Sequence, residues 1–126
     1  MLADKLTKLE DKPDIIIPVP LHPKRYRERG YNQALELARI VSKRLDLPLD
    51  YQHCIRTHAT QAQTELNALQ RSRNMRKAFA IVKPITYQHV AILDDVVTTG
   101  ATVNELAKVL RKSGVKRIDV WACARA

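Results

Sequence analysis

Aromatic side chains make up only 5% of this 126-residue chain, so its core has to be built from Leu, Ile, Val and Ala. The six aromatics are Tyr26, Tyr31, Tyr51, Phe79, Tyr87 and Trp121. They are too few for a surface that reads nucleic acid by base stacking, and most fall in core or strand positions. Cysteine is also scarce, with Cys54 and Cys123 only, both in apolar strand-like segments. That excludes a disulfide framework and leaves no metal-ligand spacing. The two read as buried free thiols in a reducing compartment, which makes a cytoplasmic location the default. No apolar run approaches a membrane span, and Met1-Leu-Ala-Asp-Lys begins no signal peptide, so no membrane partner is expected. Internal repeats and low-complexity stretches are missing, and the length suits one domain.

What is abundant is positive charge, a net +9. An excess of that size calls for a nucleic acid, an anionic ligand or plain solubility. Lys24, Arg25, Arg27 and Arg29 crowd one stretch against Glu28 alone, and Arg71, Arg73, Arg76 and Lys77 crowd another.

Strand-like and helix-like segments alternate along the chain. Asp14-Ile-Ile-Ile-Pro-Val-Pro20 carries an apolar β-branched run that Pro18, Pro20 and Pro23 terminate. A basic loop runs to Gly30. Asn32 is placed to cap a helix in which Ala34, Leu35, Leu37, Ala38, Val41 and Leu45 recur at helical spacing, and Pro48 blocks its continuation. Leu49 to Ile55 reads as a second strand. Residues 56–77 are polar and lack glycine and proline, as a loop with a helical turn around Glu65–Arg73 would. Ala78 to Val82 and His89 to Leu93 read as strands. Thr102 to Lys112 is amphipathic through Val103, Leu106, Ala107 and Leu110, with Ser113-Gly114 as its C-cap. Arg117 to Ala122 is the last strand. The alternation predicts an α/β fold with a mostly parallel sheet, occupying residues 14–126 behind an N-terminal arm or short helix at 1–13. Ligands of such sheets bind beyond the carboxyl ends of strands, which brings the loops at 20–30 and 96–102 together.

Chemistry concentrates in Val90-Ala-Ile-Leu-Asp-Asp-Val-Val-Thr-Thr-Gly-Ala-Thr102. An apolar strand delivers two adjacent acids, Asp94 and Asp95, at its expected end. The small residues after them let backbone N–H groups and hydroxyls close around a phosphate at a helix N-terminus. The carboxylates suit ribose hydroxyls or a hydrated Mg2+. Two negative charges beside a phosphate loop point to a ligand with hydroxyls as well as phosphate. No Gly-Lys-Ser/Thr follows, so this is not a Walker A loop. Asp and Thr as ordinary turn caps are the plain structural alternative.

The stretch resembles the binding motif of type I phosphoribosyltransferases for 5-phosphoribosyl-1-diphosphate (PRPP). Pro18-Val-Pro-Leu-His-Pro-Lys-Arg-Tyr-Arg-Glu-Arg-Gly-Tyr-Asn-Gln33 resembles the first-loop signature of the ComF/GntX group within that fold. Arg56-Thr-His-Ala-Thr-Gln-Ala-Gln-Thr-Glu-Leu and Arg71-Ser-Arg-Asn-Met-Arg-Lys-Ala-Phe79 resemble the group's middle segment. The resemblance implies a mostly parallel sheet of about five strands flanked by helices. It implies that Asp94, Asp95, Val97, Thr98, Thr99, Gly100, Ala101 and Thr102 hold the ribose phosphate part of PRPP. Lys24 and Arg25 would meet the pyrophosphate, and Arg71 and Arg73 would arrive with a closing segment. Mg2+ would be held by Asp94 and Asp95 through water. The implied catalytic set is Asp94, Asp95, Lys24, Arg25, Arg71 and Arg73, acting by position and charge while a nitrogen acceptor displaces pyrophosphate from ribose C1. ComF-type proteins usually carry a four-cysteine zinc ribbon ahead of this domain, and this chain has none.

Three functions stay open from the sequence. The first is Mg2+-dependent phosphoribosyl transfer. The second is a non-catalytic PRPP- or nucleotide-binding module with competence or DNA-processing protein partners. The third is weak nonspecific nucleic-acid binding through the basic surface. A homodimer is expected by analogy only. His22 reads equally as a phosphate ligand or a turn residue. His53, His58 and His89 read as surface or loop residues, Trp121 as core, and Asp119 as a marker of the last strand's solvent face.

Overall fold

The structure, a computed structural model, describes residues 11–21, 27–57, 78–97 and 100–125, with the side chains of Val97 and of residues 123–125 left aside. Strand β1 (Ile15–Pro18), helix α1 (Gln33–Leu45), β2 (Cys54–Arg56), β3 (Phe79–Ile81), β4 (His89–Val97), helix α2 (Ala101–Lys112) and β5 (Arg117–Arg125) follow in order. Three strands form a parallel sheet in the order β1-β4-β5, and β2 and β3 form a separate antiparallel pair. The expected α/β class and parallel core are present. The five strands divide between two sheets because β2 and β3 pair only with each other. The strand expected over 49–55 is reduced to a parallel bridge from Leu49 to Ile16, followed by β2. Asp50 explains the break. Its buried carboxylate accepts the N–H groups of Gln52 and His53 at 2.9 and 3.1 Å, which turns the backbone out of extended pairing.

Successive strand residues face opposite ways, and here each face has its own helix. Ile15, Ile17, Val90 and Ile92 join Val103, Leu106, Ala107 and Leu110 of α2 in one cluster, which also takes in Cys54 and Phe79 of the β2–β3 pair. Ile16, Ala91, Leu93 and Trp121 join Ala38, Val41 and Leu45 of α1 in the other. A strand covered on both faces must be apolar throughout, which is why Val90–Leu93 shows no polar alternation.

Caps follow the sequence expectations. Asn32 Oδ1 accepts the Leu35 N–H at 3.3 Å, and Ser113 ends α2 ahead of Gly114 at φ +103°. Helix α1 ends at Asp46 in the left-handed region, two residues before Pro48. Two readings need correction. His89 opens β4, is largely buried and pairs with Asp119 at 2.7 Å, so neither residue is a mere surface marker. Asp119 also lies 3.5 Å from Arg117 Nε, and Arg117 reaches Asp11 at 2.9 Å. Asp14 accepts the N–H groups of Gln88 and His89, both at 3.0 Å, which holds its carboxyl below the usual range. This network fastens the amino ends of the strands, opposite the acid pair. Among the described residues no helix is long and apolar enough to cross a membrane.

Candidate active site

Strand β4 runs past its apolar half to Val97 and stays in register with β5, Asp94 opposite Ala122 and Val97 opposite Arg125. The acids therefore lie within the strand's last turns of pleat and not beyond its end. Alternation puts Asp94 on the side of Ile92 and α2, and Asp95 on the side of Leu93 and α1. The pair stays tied together: Asp94 Oδ1 accepts the Asp95 N–H at 2.9 Å.

Partial burial drives the Asp94 carboxyl up to about 6, and the neighbouring Asp95 carboxyl pushes the same way. The Asp95 N–H and the Arg56 guanidinium oppose the rise. The arrangement holds an excess of negative charge that a cation or hydroxyl donors would relieve.

A second arm of the site comes from β1. The Val19 N–H donates to Leu93 O at 2.9 Å, which brings the chain leaving β1 alongside β4 just before the acids. Asn32 Nδ2 donates to Val19 O at 3.3 Å, so the residue that caps α1 also pins this segment. The third arm is the start of α2. Gly100 is its N-cap at φ +81°, a conformation costly for any residue with a Cβ. It offers no side-chain oxygen to the first turn, and no acid stands there. That is the electrostatic end of a helix that favours an anion.

Of the residues the sequence singled out, the structure gathers Asp94, Asp95, Gly100, Ala101 and Thr102 at one edge of the sheet, with the backbone of Val97. Lys24, Arg25, Thr98, Thr99, Arg71 and Arg73 lie outside the described residues, as do His22 and His58. Two carboxylates are hard oxygen donors suited to Mg2+ held through its waters. Among the described residues, no three His, Cys, Asp or Glu side chains cluster as a direct metal cage.

Sequence reading missed Arg56. It ends β2, its guanidinium carbon sits 5.3 Å from the centre of the Phe79 ring, and its charge acts on Asp94. Phe79 is its register partner across the β2–β3 pair. No local spacing signals a pairing between residues so far apart in the chain.

The Asp94 shift has a consequence for stability. Folding favours the protonated carboxyl, so its contribution is full below about pH 3.8 and is lost as the pH rises through about 6. Asp94→Asn is therefore expected to be more stable than the parent at pH 7, with the difference vanishing near pH 4. A rise of that size is worth at most about 3 kcal/mol, and solvent access reduces it to about 1 kcal/mol. Urea unfolding of both proteins at the two pH values reads the difference, and equal stabilities at pH 7 would show that Asp94 carries no penalty.

The phosphoribosyl transferase domain family matches residues 31–125. Competence protein F of Haemophilus influenzae is 44% identical over 117 residues, which is 90% of this chain and 51% of that protein. DNA utilization protein YhgH of Escherichia coli is 41% identical over 113 residues, 90% of this chain and 50% of that protein. The chain thus spans about half the length of these curated relatives. Among solved structures, the purine phosphoribosyltransferase from Pyrococcus horikoshii superposes with a TM-score of 0.59 at 26% identity, covering 98% of this chain and 67% of that one.

Proposed function

We propose, for a chain that belongs to the phosphoribosyl transferase domain family and within it to the ComF-like group, that it binds PRPP with Mg2+ and transfers the phosphoribosyl group to a nitrogen acceptor. The observation that carries this reading is the acid pair on β4 beside the Gly100 end of α2, at the carboxyl edge of a parallel sheet. Phosphate belongs at the helix end and ribose hydroxyls at the carboxylates, and Asp95 and Gly100 are only five residues apart in the sequence.

In this mechanism Asp94 and Asp95 accept hydrogen bonds from the ribose hydroxyls. Their charge stabilises the positive character that develops at C1 as the diphosphate departs. Thr98, Thr99, Gly100, Ala101 and Thr102 enclose the 5-phosphate. Lys24 and Arg25 neutralise the diphosphate, and Arg71 and Arg73 add charge when the site is filled. Bound Mg2+ would neutralise charge on the diphosphate. The acceptor nitrogen's lone pair forms the new bond to C1, the C1–O bond breaks with its electron pair leaving on pyrophosphate, and the nitrogen's proton passes to water.

Calorimetric titration of PRPP with Mg2+ and then with EDTA tests the reading. Saturable binding that EDTA abolishes is the expected result, and no binding with Mg2+ would overturn it. A second reading, a binding module that works with competence or DNA-processing partners, is favoured by the names of the relatives. Tight PRPP binding without pyrophosphate release across nitrogen acceptors would select it. Weak, salt-sensitive nucleic-acid binding and a homodimer fit either reading.

A further inference from the structure

Strand β5 is the last in the order β1-β4-β5, and among the described residues no strand pairs with its outer edge. The edge is long, nine residues from Arg117 to Arg125, and holds neither proline nor glycine. It follows β4 in unbroken register from Arg117 to Ala122. Edges left to water are usually guarded by a proline, a bulge or a free charge. Here the charges are already engaged. Asp119 is the one acid on β5, and its carboxylate is drawn in by His89 at 2.7 Å and lies 3.5 Å from Arg117 Nε. Arg117 in turn reaches Asp11 at 2.9 Å. Midway along the outer part stands Val120, 48% exposed and in neither core cluster. Ile118 and Ala122 share its side of the sheet, the side that α2 covers at β1 and β4.

We propose that this edge is a homodimer interface, in which β5 pairs antiparallel with β5 of a second copy about a two-fold axis through Val120. Symmetry, charge and apolar area select that register. A two-fold axis normal to the sheet keeps the α2 side of one copy on the α2 side of the other. Only residues of like facing can then meet, so the axis must pass through a residue position. Centred on Asp119, it sets two carboxylates against each other, and centred on Trp121 it sets Arg117 against Arg125. Like charges directly opposite destabilise a ladder. Centred on Ala122, it matches Asp119 with Arg125, but Asp119 already has its counter-ions and Val120 meets only Ala124. Centred on Val120, it sets Val120 against Val120, Ile118 against Ala122 and Asp119 against Trp121, with no like charges opposed. That register buries the most apolar surface, including the exposed valine twice. Three strands from each copy then form one sheet, with the acid pairs at opposite ends of it. The inference does not rest on what the acid pair binds. The net charge of +9 on each copy opposes association, and salt screens that repulsion.

Sedimentation equilibrium of the intact chain between about 1 and about 100 μM tests the interface, since mass action raises the mean mass toward that of a dimer. The parent is expected to dimerise in this range, and more tightly as salt rises. Val120→Lys and Val120→Glu each place like charges on the axis and are each expected to weaken the dimer about 10-fold or more. An equal mixture of the two is expected to recover the parent's affinity, because lysine then faces glutamate. Such recovery is specific to an axis at Val120, since position 120 meets itself in no other register. Val120 packs in neither core cluster, so both variants are expected to melt with the parent at about 1 μM, where association contributes least. A parent that stays monomeric at about 100 μM would overturn the proposal. Variants that dimerise as the parent does, or a mixture no tighter than either variant alone, would overturn it as well.

Discussion

Replacing Asp94 and Asp95 together by asparagine is expected to lower the proposed PRPP affinity about 100-fold or more. Hydrogen bonds to a charged group are worth roughly 1.5–3 kcal/mol each, and two of them lost give at least about 3 kcal/mol. Asparagine keeps the side-chain size and one acceptor oxygen, so the loss reports charge and not packing. Removing the Asp94 charge is expected to stabilise the protein at neutral pH, since burial and Asp95 raise that carboxyl, so unfolding is not expected to imitate the effect. Calorimetry measures the affinity, and a thermal melt confirms the fold. Affinity equal to the parent's would remove Asp94 and Asp95 from the site and leave the helix end as an anion site alone.

Ile92→Ala costs about 3–4 kcal/mol of folding stability. Ile92 is 0% exposed, lies in the central strand of the parallel sheet and packs in the cluster that contains Leu106 and Leu110 of α2. Removing three carbons there leaves a cavity that a strand bonded on both sides cannot close by shifting. Against a total of roughly 5–15 kcal/mol, the loss takes a large share of the protein's stability. Val120→Ala is the control. Val120 is 48% exposed on β5, and its truncation changes stability by about 0.5 kcal/mol or less. Urea unfolding of both variants reads the contrast. A cost below about 1 kcal/mol for Ile92→Ala would contradict the two-sided burial of β4.

The two experiments are linked through β4. Its first half is held by packing from both helices, so its second half projects Asp94 and Asp95 from a rigid support. Carboxylates on such a support lose little freedom when they bind hydroxyls, which is where positioning contributes to rate. Helix α2 starts only a few residues later and is fastened to the same strand through Val103 and Leu106. The acid pair and the helix end therefore keep a fixed separation. The network of His89, Asp119, Arg117 and Asp11 braces the opposite end of the sheet.

Much of this was legible in the sequence because it is encoded locally. Apolar residues at helical spacing placed α2 to within one residue of its start, and Asn32 declared the cap of α1 through its side-chain chemistry. Val90–Leu93 announced a buried strand, and the acids and small residues after it marked the candidate site, since the proposed hydroxyl- and phosphate-binding role calls for those side chains in that order. Tertiary structure decided what depends on partners distant in the chain. Only folding shows that β2 and β3 leave the main sheet, since each strand's pairing is chosen by a partner and not by its own residues. Pairing with β5 carries β4 two residues past the acids, although nothing in Asp94-Asp95 favours extended structure. His89 met Asp119, and Arg56 met Phe79 and the field of Asp94, for the same reason. A local pattern records what a residue is, whereas the raised carboxyl of Asp94 depends on which groups the fold brings beside it.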